Sequence, residues 1–96
     1  MFTRHANSLE IDVSEVRSRE ELHELLYQAF GFPEYYGQNW DAFDECIRDV
    51  VAPDAIRVSG LESMRFRLPR EAKLLITCLQ DFVASHAEHP IPLHVG

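Results

Sequence analysis

Asp41, Asp44 and Glu45 lie three and four residues apart in a segment that reads as helical, which puts three carboxylates on one exposed face. Carboxylates so spaced admit two chemistries. A pair can divide acid and base roles, provided that burial in a cleft keeps one of them protonated. Alternatively, a row of ionised carboxylates can meet a strongly cationic surface. The surroundings favour the second. From Glu34 to Asp54 there are six acids (Glu34, Asp41, Asp44, Glu45, Asp49 and Asp54) against one base, Arg48, a local balance of −5 in a chain of −7. Like charges at this spacing destabilise a free helix by about 0.2–0.5 kcal/mol per pair, and Arg48 offsets only part of that. Tyr35, Tyr36 and Gly37 stand directly before the acids. Adjacent tyrosines cannot easily both point inward, and an exposed tyrosine beside acids is the composition of a protein-binding anchor.

Other chemistries find less support. Of the five histidines, His86 and His89 are three apart and His94 is near in sequence. They show no metal-ligand spacing, and no cysteine lies close by. His86 and His89 instead suit a helix C-terminus, where partly positive side chains meet terminal carbonyls. No Gly-x-Ser-x-Gly turn or activated Cys–His pair points to a nucleophile. The four glycines, at 31, 37, 60 and 96, are too scattered for a phosphate loop. The three carboxylates lack the apolar cleft that a glycosidase-like pair needs. The expectation is therefore a protein that is not an enzyme, with no catalytic residue, no metal and no cofactor.

Size and composition agree with a binding protein. Ninety-six residues make one domain, 1–96. At 46% hydrophobic and 26% charged residues it has the makeup of a soluble globular domain. Net charge −7 repels nucleic acid phosphate and anionic membranes alike. The same charge makes free copies repel weakly, so a monomer is expected. No apolar run reaches the length of an export signal or a spanning helix. Cys46 and Cys78 are the only cysteines, each on an apolar helical stripe, so reduced, buried thiols and a cytoplasmic location are expected.

The elements that must position these residues follow from periodicity and punctuation. Leu9–Val13 alternates as a half-buried strand. Ser18 and Glu21 have capping-box spacing, and Leu22, Leu25, Leu26 and Ala29 continue a helix over about 19–30 that Gly31 ends. Pro33 forces a turn through Gly37, and Asn39 caps a second helix over about 40–51. Trp40, Phe43, Cys46, Ile47 and Val50 make its apolar side. A short strand over 55–58 follows, then a short helix over 61–68. A longer helix starts at Pro69 and runs to about 86. Ile91, Leu93 and Val95 alternate as a last strand, at a sheet edge because Pro92 lacks a ladder donor. Strands separated by helices imply parallel pairing. The fold class is α/β: a small three-stranded parallel sheet packed with four helices.

Pro33-Glu-Tyr-Tyr-Gly-Gln-Asn-Trp-Asp-Ala-Phe43 closely resembles the signature of the barstar family, intracellular inhibitors of barnase-type ribonucleases. That signature runs roughly Pro-x-Tyr-Tyr-Gly-x-Asn-Leu/Trp-Asp-Ala-Leu-Trp-Asp. Outside it the likeness lies in the order and spacing of elements, over essentially the whole chain. The resemblance implies a barstar-like domain whose second helix and preceding loop plug the active site of a small basic ribonuclease. The carboxylates would stand in for substrate phosphates. By position Tyr35, Tyr36, Asn39 and Asp41 match family interface residues, Glu45 takes the place of the principal inhibitory aspartate, and Cys46 stands where the family also has cysteine. The partner-binding set is thus Tyr35, Tyr36, Gly37, Asn39, Asp41, Asp44 and Glu45.

Two departures mark this chain. Asp44-Glu45 stands where the family has Trp-Asp, and the longer Glu45 side chain carries its carboxylate about 1.5 Å farther out. The family's inhibitory glutamate on the last long helix has no clear equivalent, the nearest candidates being Asp81 and Glu88. The leading expectation is a ribonuclease inhibitor or immunity protein. The alternative is a barstar-like interaction module for a non-nuclease basic protein.

Overall fold

The computed structural model describes residues 8–50, 53–86 and 90–96. In chain order the elements are β1 (Ser8–Asp12), α1 (Arg19–Phe30), α2 (Trp40–Ile47), β2 (Ala55–Ser59), α3 (Leu61–Arg67), α4 (Pro69–Ala84) and β3 (Leu93–Val95). The sheet is all-parallel in the order β1-β2-β3, with Leu9 beside Ile56 and Ile56 beside Leu93. Each pair of neighbouring strands is joined through two helices, which is the chain length that a parallel crossover needs. The α/β class, three strands and four helices match the expectation.

Local chemistry sets most of the boundaries. Ser18 Oγ accepts from the Glu21 amide at 3.1 Å, and Glu21 Oε1 accepts from the Arg17 amide at 2.9 Å. The returning carboxylate therefore serves the residue before the cap, a one-place variant of the capping box. Gly31 ends α1 at φ 67°, and the Gly31 N–H donates to the Tyr27 carbonyl. Gly60 is needed at φ 77°, because a Cβ there would come 2.4 Å from that of Ser14.

Three boundaries differ from expectation by more than one residue. The second helix ends at Ile47 rather than near 51. Asp49 and Val50 donate to the carbonyls of Cys46 and Ile47, both at 3.2 Å, and so wind the chain into a tighter last turn. A carboxylate at 49 opposes the negative helix end, and a β-branched Val50 disfavours continuation. The fourth helix stops at Ala84, where the Ser85 hydroxyl donates to the Phe82 carbonyl at 2.6 Å and competes with the helical ladder. The last strand begins after Pro92, not at Ile91. The Pro92 carbonyl still accepts from the Ile56 amide at 2.9 Å, so proline serves the edge of the sheet by its acceptor alone.

The core lies between the sheet and the helices. Ile11, Ile56 and Val58 from the strands meet Leu22, Leu26, Phe43, Met64, Leu75 and Leu79, all without solvent exposure. Val95 is exposed, so the alternation of the last strand fades at its end. Cys46 and Cys78 are free and half-buried rather than buried, since each sits at the margin of its helix's apolar stripe. Burial pushes both thiols up, with Glu45 and Asp49 adding to the effect on Cys46, and Asp44 and Asp81 on Cys78. Both are thus poor nucleophiles at neutral pH.

Candidate functional site: an acidic helix and its aromatic loop

Consecutive tyrosines in the loop 33–39 have opposite fates. The Tyr36 amide donates to the Pro33 carbonyl at 3.0 Å, closing a turn that carries residue 36 back toward the core. Tyr36 is 7% exposed, whereas Tyr35 is 81% exposed. The Tyr36 ring packs on Phe32 at 4.8 Å and stacks with Tyr27 at 6.3 Å. Its hydroxyl lies 2.6 Å from Nδ1 of fully buried His23. Burial, with lesser contributions from Cys46 and Cys78, holds that phenol well above its ordinary pKa.

His23 is the hinge of this arrangement, and the metal question raised by the C-terminal histidines bypassed it. His23 shares an apolar stripe with Leu26 and Phe30, three and seven residues on. That spacing alone predicts a buried ring, but not what it meets. Its ring contacts Trp40 edge-on at 4.6 Å, and Trp40 Nε1–H donates to Glu71 Oε1 at 3.0 Å. Burial lowers the His23 pKa, assisted by Arg19 and opposed by Glu71 and Glu20. A chain of contacts thus runs from α1 through the loop and α2 to α4. Glu71 lies 31 residues from Trp40, and no local signal marks it as that partner.

The turn from loop to helix depends on two further residues. Gln38 holds φ 55°, so the left-handed position of the Tyr-Tyr-Gly-Gln-Asn run falls on glutamine and not on Gly37. A Cβ on Gly37 would make only ordinary contacts, 3.4 Å from Asn39 and 3.5 Å from Ala42. Gln38 Nε2 donates to Glu24 Oε1 at 3.2 Å, tying the strained residue to α1. Asn39 Oδ1 accepts from the Ala42 amide at 2.7 Å as the α2 cap, and its Nδ2 donates to the Gly37 carbonyl at 3.3 Å. Asn39 is thereby largely engaged within its own turn.

The acids divide into two groups. Asp41 and Glu45 are exposed and form no ion pair among the described residues. Asp44 is paired with Arg48 at 2.9 Å, an exposed contact that mutes its charge without burying it. Asp44 also lines a groove of about 260 Å³ between α2 and α4, floored by Phe43, Ile47 and Phe82, with Asp81 and His86 on the α4 side. Asp81 therefore supplies an α4 carboxylate beside α2, as one of the two sequence candidates. The other, Glu88, lies outside the described residues, as does His89. The His86 ring donates from Nδ1 to the Phe82 carbonyl at 2.9 Å, the C-terminal role expected of it.

Among the described residues, no three His, Cys, Asp or Glu side chains are grouped to hold a metal ion, and no helix is long and apolar enough to cross a membrane. The fold and this surface define a small all-parallel α/β protein that presents an acidic helix to solvent beside a loop carrying the bare ring of Tyr35. Residues 6–96 match the family model described as Barstar (barnase inhibitor), and the chain belongs to the barstar family. The family is one of barnase inhibitors. No curated protein matches the chain.

Proposed function

We propose that this protein inhibits a small basic ribonuclease by laying α2 and the preceding loop over its active site. One observation carries this function: Tyr35 stands 81% exposed in the loop before a helix whose Asp41 and Glu45 carboxylates are exposed and form no ion pair among the described residues. A site that cleaves RNA must be cationic to hold phosphate, so free carboxylates are its complement. The roles within the loop then separate. Tyr35, Asp41 and Glu45 touch the enzyme, with Gly37 leaving the surface between them low. Tyr36 and Asn39 hold the backbone that presents them, because both are engaged internally. Asp44 and Asp81 flank the α2–α4 groove and receive a second cationic side chain from the enzyme. The protein acts in the cytoplasm, as an immunity protein where the nuclease is a toxin.

Asp44-Glu45 in place of Trp-Asp favours a second function, an interaction module for a non-nuclease basic protein. Co-expression with barnase-type ribonucleases tests the two. The wild-type chain should restore growth, and Asp41→Ala with Glu45→Ala should abolish the rescue. Rescue that persists in the double variant would sink the proposed surface. No rescue from any nuclease, with capture of a basic non-nuclease partner that the double variant loses, would support the second function.

A further inference from the structure

Residues 65–73, Arg-Phe-Arg-Leu-Pro-Arg-Glu-Ala-Lys, carry four bases against one acid, a balance of +3 that leaves −10 on the rest of the chain. This basic segment spans the end of α3 and the start of α4. Beside it lies a groove of about 410 Å³ with Pro69, Ala72 and Ile76 as its apolar lining and Arg65 and Lys73 as its charges. Arg67 is committed elsewhere, donating to the Ser14 and Val16 carbonyls. Among the described residues Arg65 pairs with Glu62, at 2.8 Å in an exposed contact that solvent readily exchanges. Lys73 forms no ion pair among the described residues. Next to Arg65 in the chain, Phe66 is 91% exposed, more than any other large apolar side chain among the described residues. An apolar groove rimmed with cations, on a segment that also exposes an aromatic ring, has the makeup of a docking surface for an anionic partner.

The chain itself carries a surface of the complementary kind. We propose that this groove docks the acidic α2 face of a second copy, with Tyr35 of one copy entering between Arg65 and Lys73 of the other, and Asp41 and Glu45 meeting the two bases. The proposal rests on the acidic α2 face being a protein-binding surface. Because the two patches differ, the contact is head-to-tail, and each dimer leaves one patch of each kind open for short oligomers. Net charge −7 per copy keeps the association weak. A basic nuclease would compete for the same acidic face, so self-association holds the inhibitor in a masked reserve.

Sedimentation equilibrium on the full chain tests this, up to sub-millimolar concentration, at about 50 mM and about 500 mM salt. The mean mass should rise with concentration at low salt and return toward the monomer at high salt. Lys73→Glu, an exposed change checked for folding by circular dichroism, should weaken association at least about threefold and leave nuclease inhibition unchanged. Glu45→Lys should weaken it similarly, and an equimolar mixture of the two variants should associate more tightly than either alone. A wild-type chain that stays monomeric at low salt overturns the proposal, as does an oligomer indifferent to Lys73→Glu. Self-association with these properties, found where no nuclease is inhibited, would uphold the docking surface and remove the inhibitor function.

Discussion

Tyr36→Phe isolates the contact on which the binding loop rests. The substitution removes one oxygen and keeps the ring that packs on Phe32 and Tyr27. It leaves His23 Nδ1 buried without its partner at 2.6 Å, in a ring whose Nε2 already has none among the described residues. An orphaned buried polar group costs about 1–3 kcal/mol, well above the net worth of an ordinary hydrogen bond. For a domain of this size, a loss of about 2 kcal/mol lowers Tm by roughly 8–16 °C. Removing the second partner reverses much of the penalty, since replacing both members of a buried pair by apolar groups is often close to neutral. The double variant Tyr36→Phe/His23→Leu should therefore be more stable than the sum of the single losses, with a coupling of about 1–2 kcal/mol. Urea unfolding followed by Trp40 fluorescence reads this directly, because Trp40 is the single tryptophan and its ring lies 4.6 Å from that of His23. A Tyr36→Phe loss below about 0.5 kcal/mol, or a cycle with no coupling, would refute the positioning role given to this pair.

The same histidine sets an acid dependence. Its folded pKa lies below the ordinary 6.5, so the unfolded chain binds more protons below that value. Stability should be complete above pH 6.5 and fall as the pH drops through the lowered folded pKa; urea midpoints across pH should show this, and His23→Leu should flatten the fall. Gly60→Ala should destabilise by more than about 1 kcal/mol, because its φ of 77° and the 2.4 Å approach of Ser14 both oppose a Cβ. Gly37→Ala, with ordinary space around it, should leave the thermal midpoint nearly unchanged. In nuclease binding followed by stopped flow, raised salt should slow association far more than it hastens dissociation, and Asp41→Ala should lessen that salt dependence.

What the sequence by itself determined is what lies within a few residues of its cause. Ser18 and Glu21, Gly31 after α1, Asn39 before α2 and Pro69 at the head of α4 each act through neighbouring backbone groups, so their positions in the chain are nearly their positions in space. Helical spacing likewise sufficed to place Asp41 and Glu45 opposite Phe43 and Ile47. The end of α2 was less legible, because weak local preferences there yield to a tightened last turn. Only the tertiary structure decided which of two adjacent tyrosines turns inward. That choice depends on His23, 13 residues earlier, and on the aromatic surface that α1 offers. The same holds for Glu71 under Trp40, 31 residues away, and for Arg67 on the Val16 carbonyl, 51 away. Charge counting found the acidic segment, but not that Arg48 pairs with Asp44 while Asp41 and Glu45 form no ion pair among the described residues. The physical reason is common to these cases. Periodicity and capping are short-range properties of the backbone, whereas burial, partner choice and net local charge belong to surfaces that exist only after the helices close over the sheet.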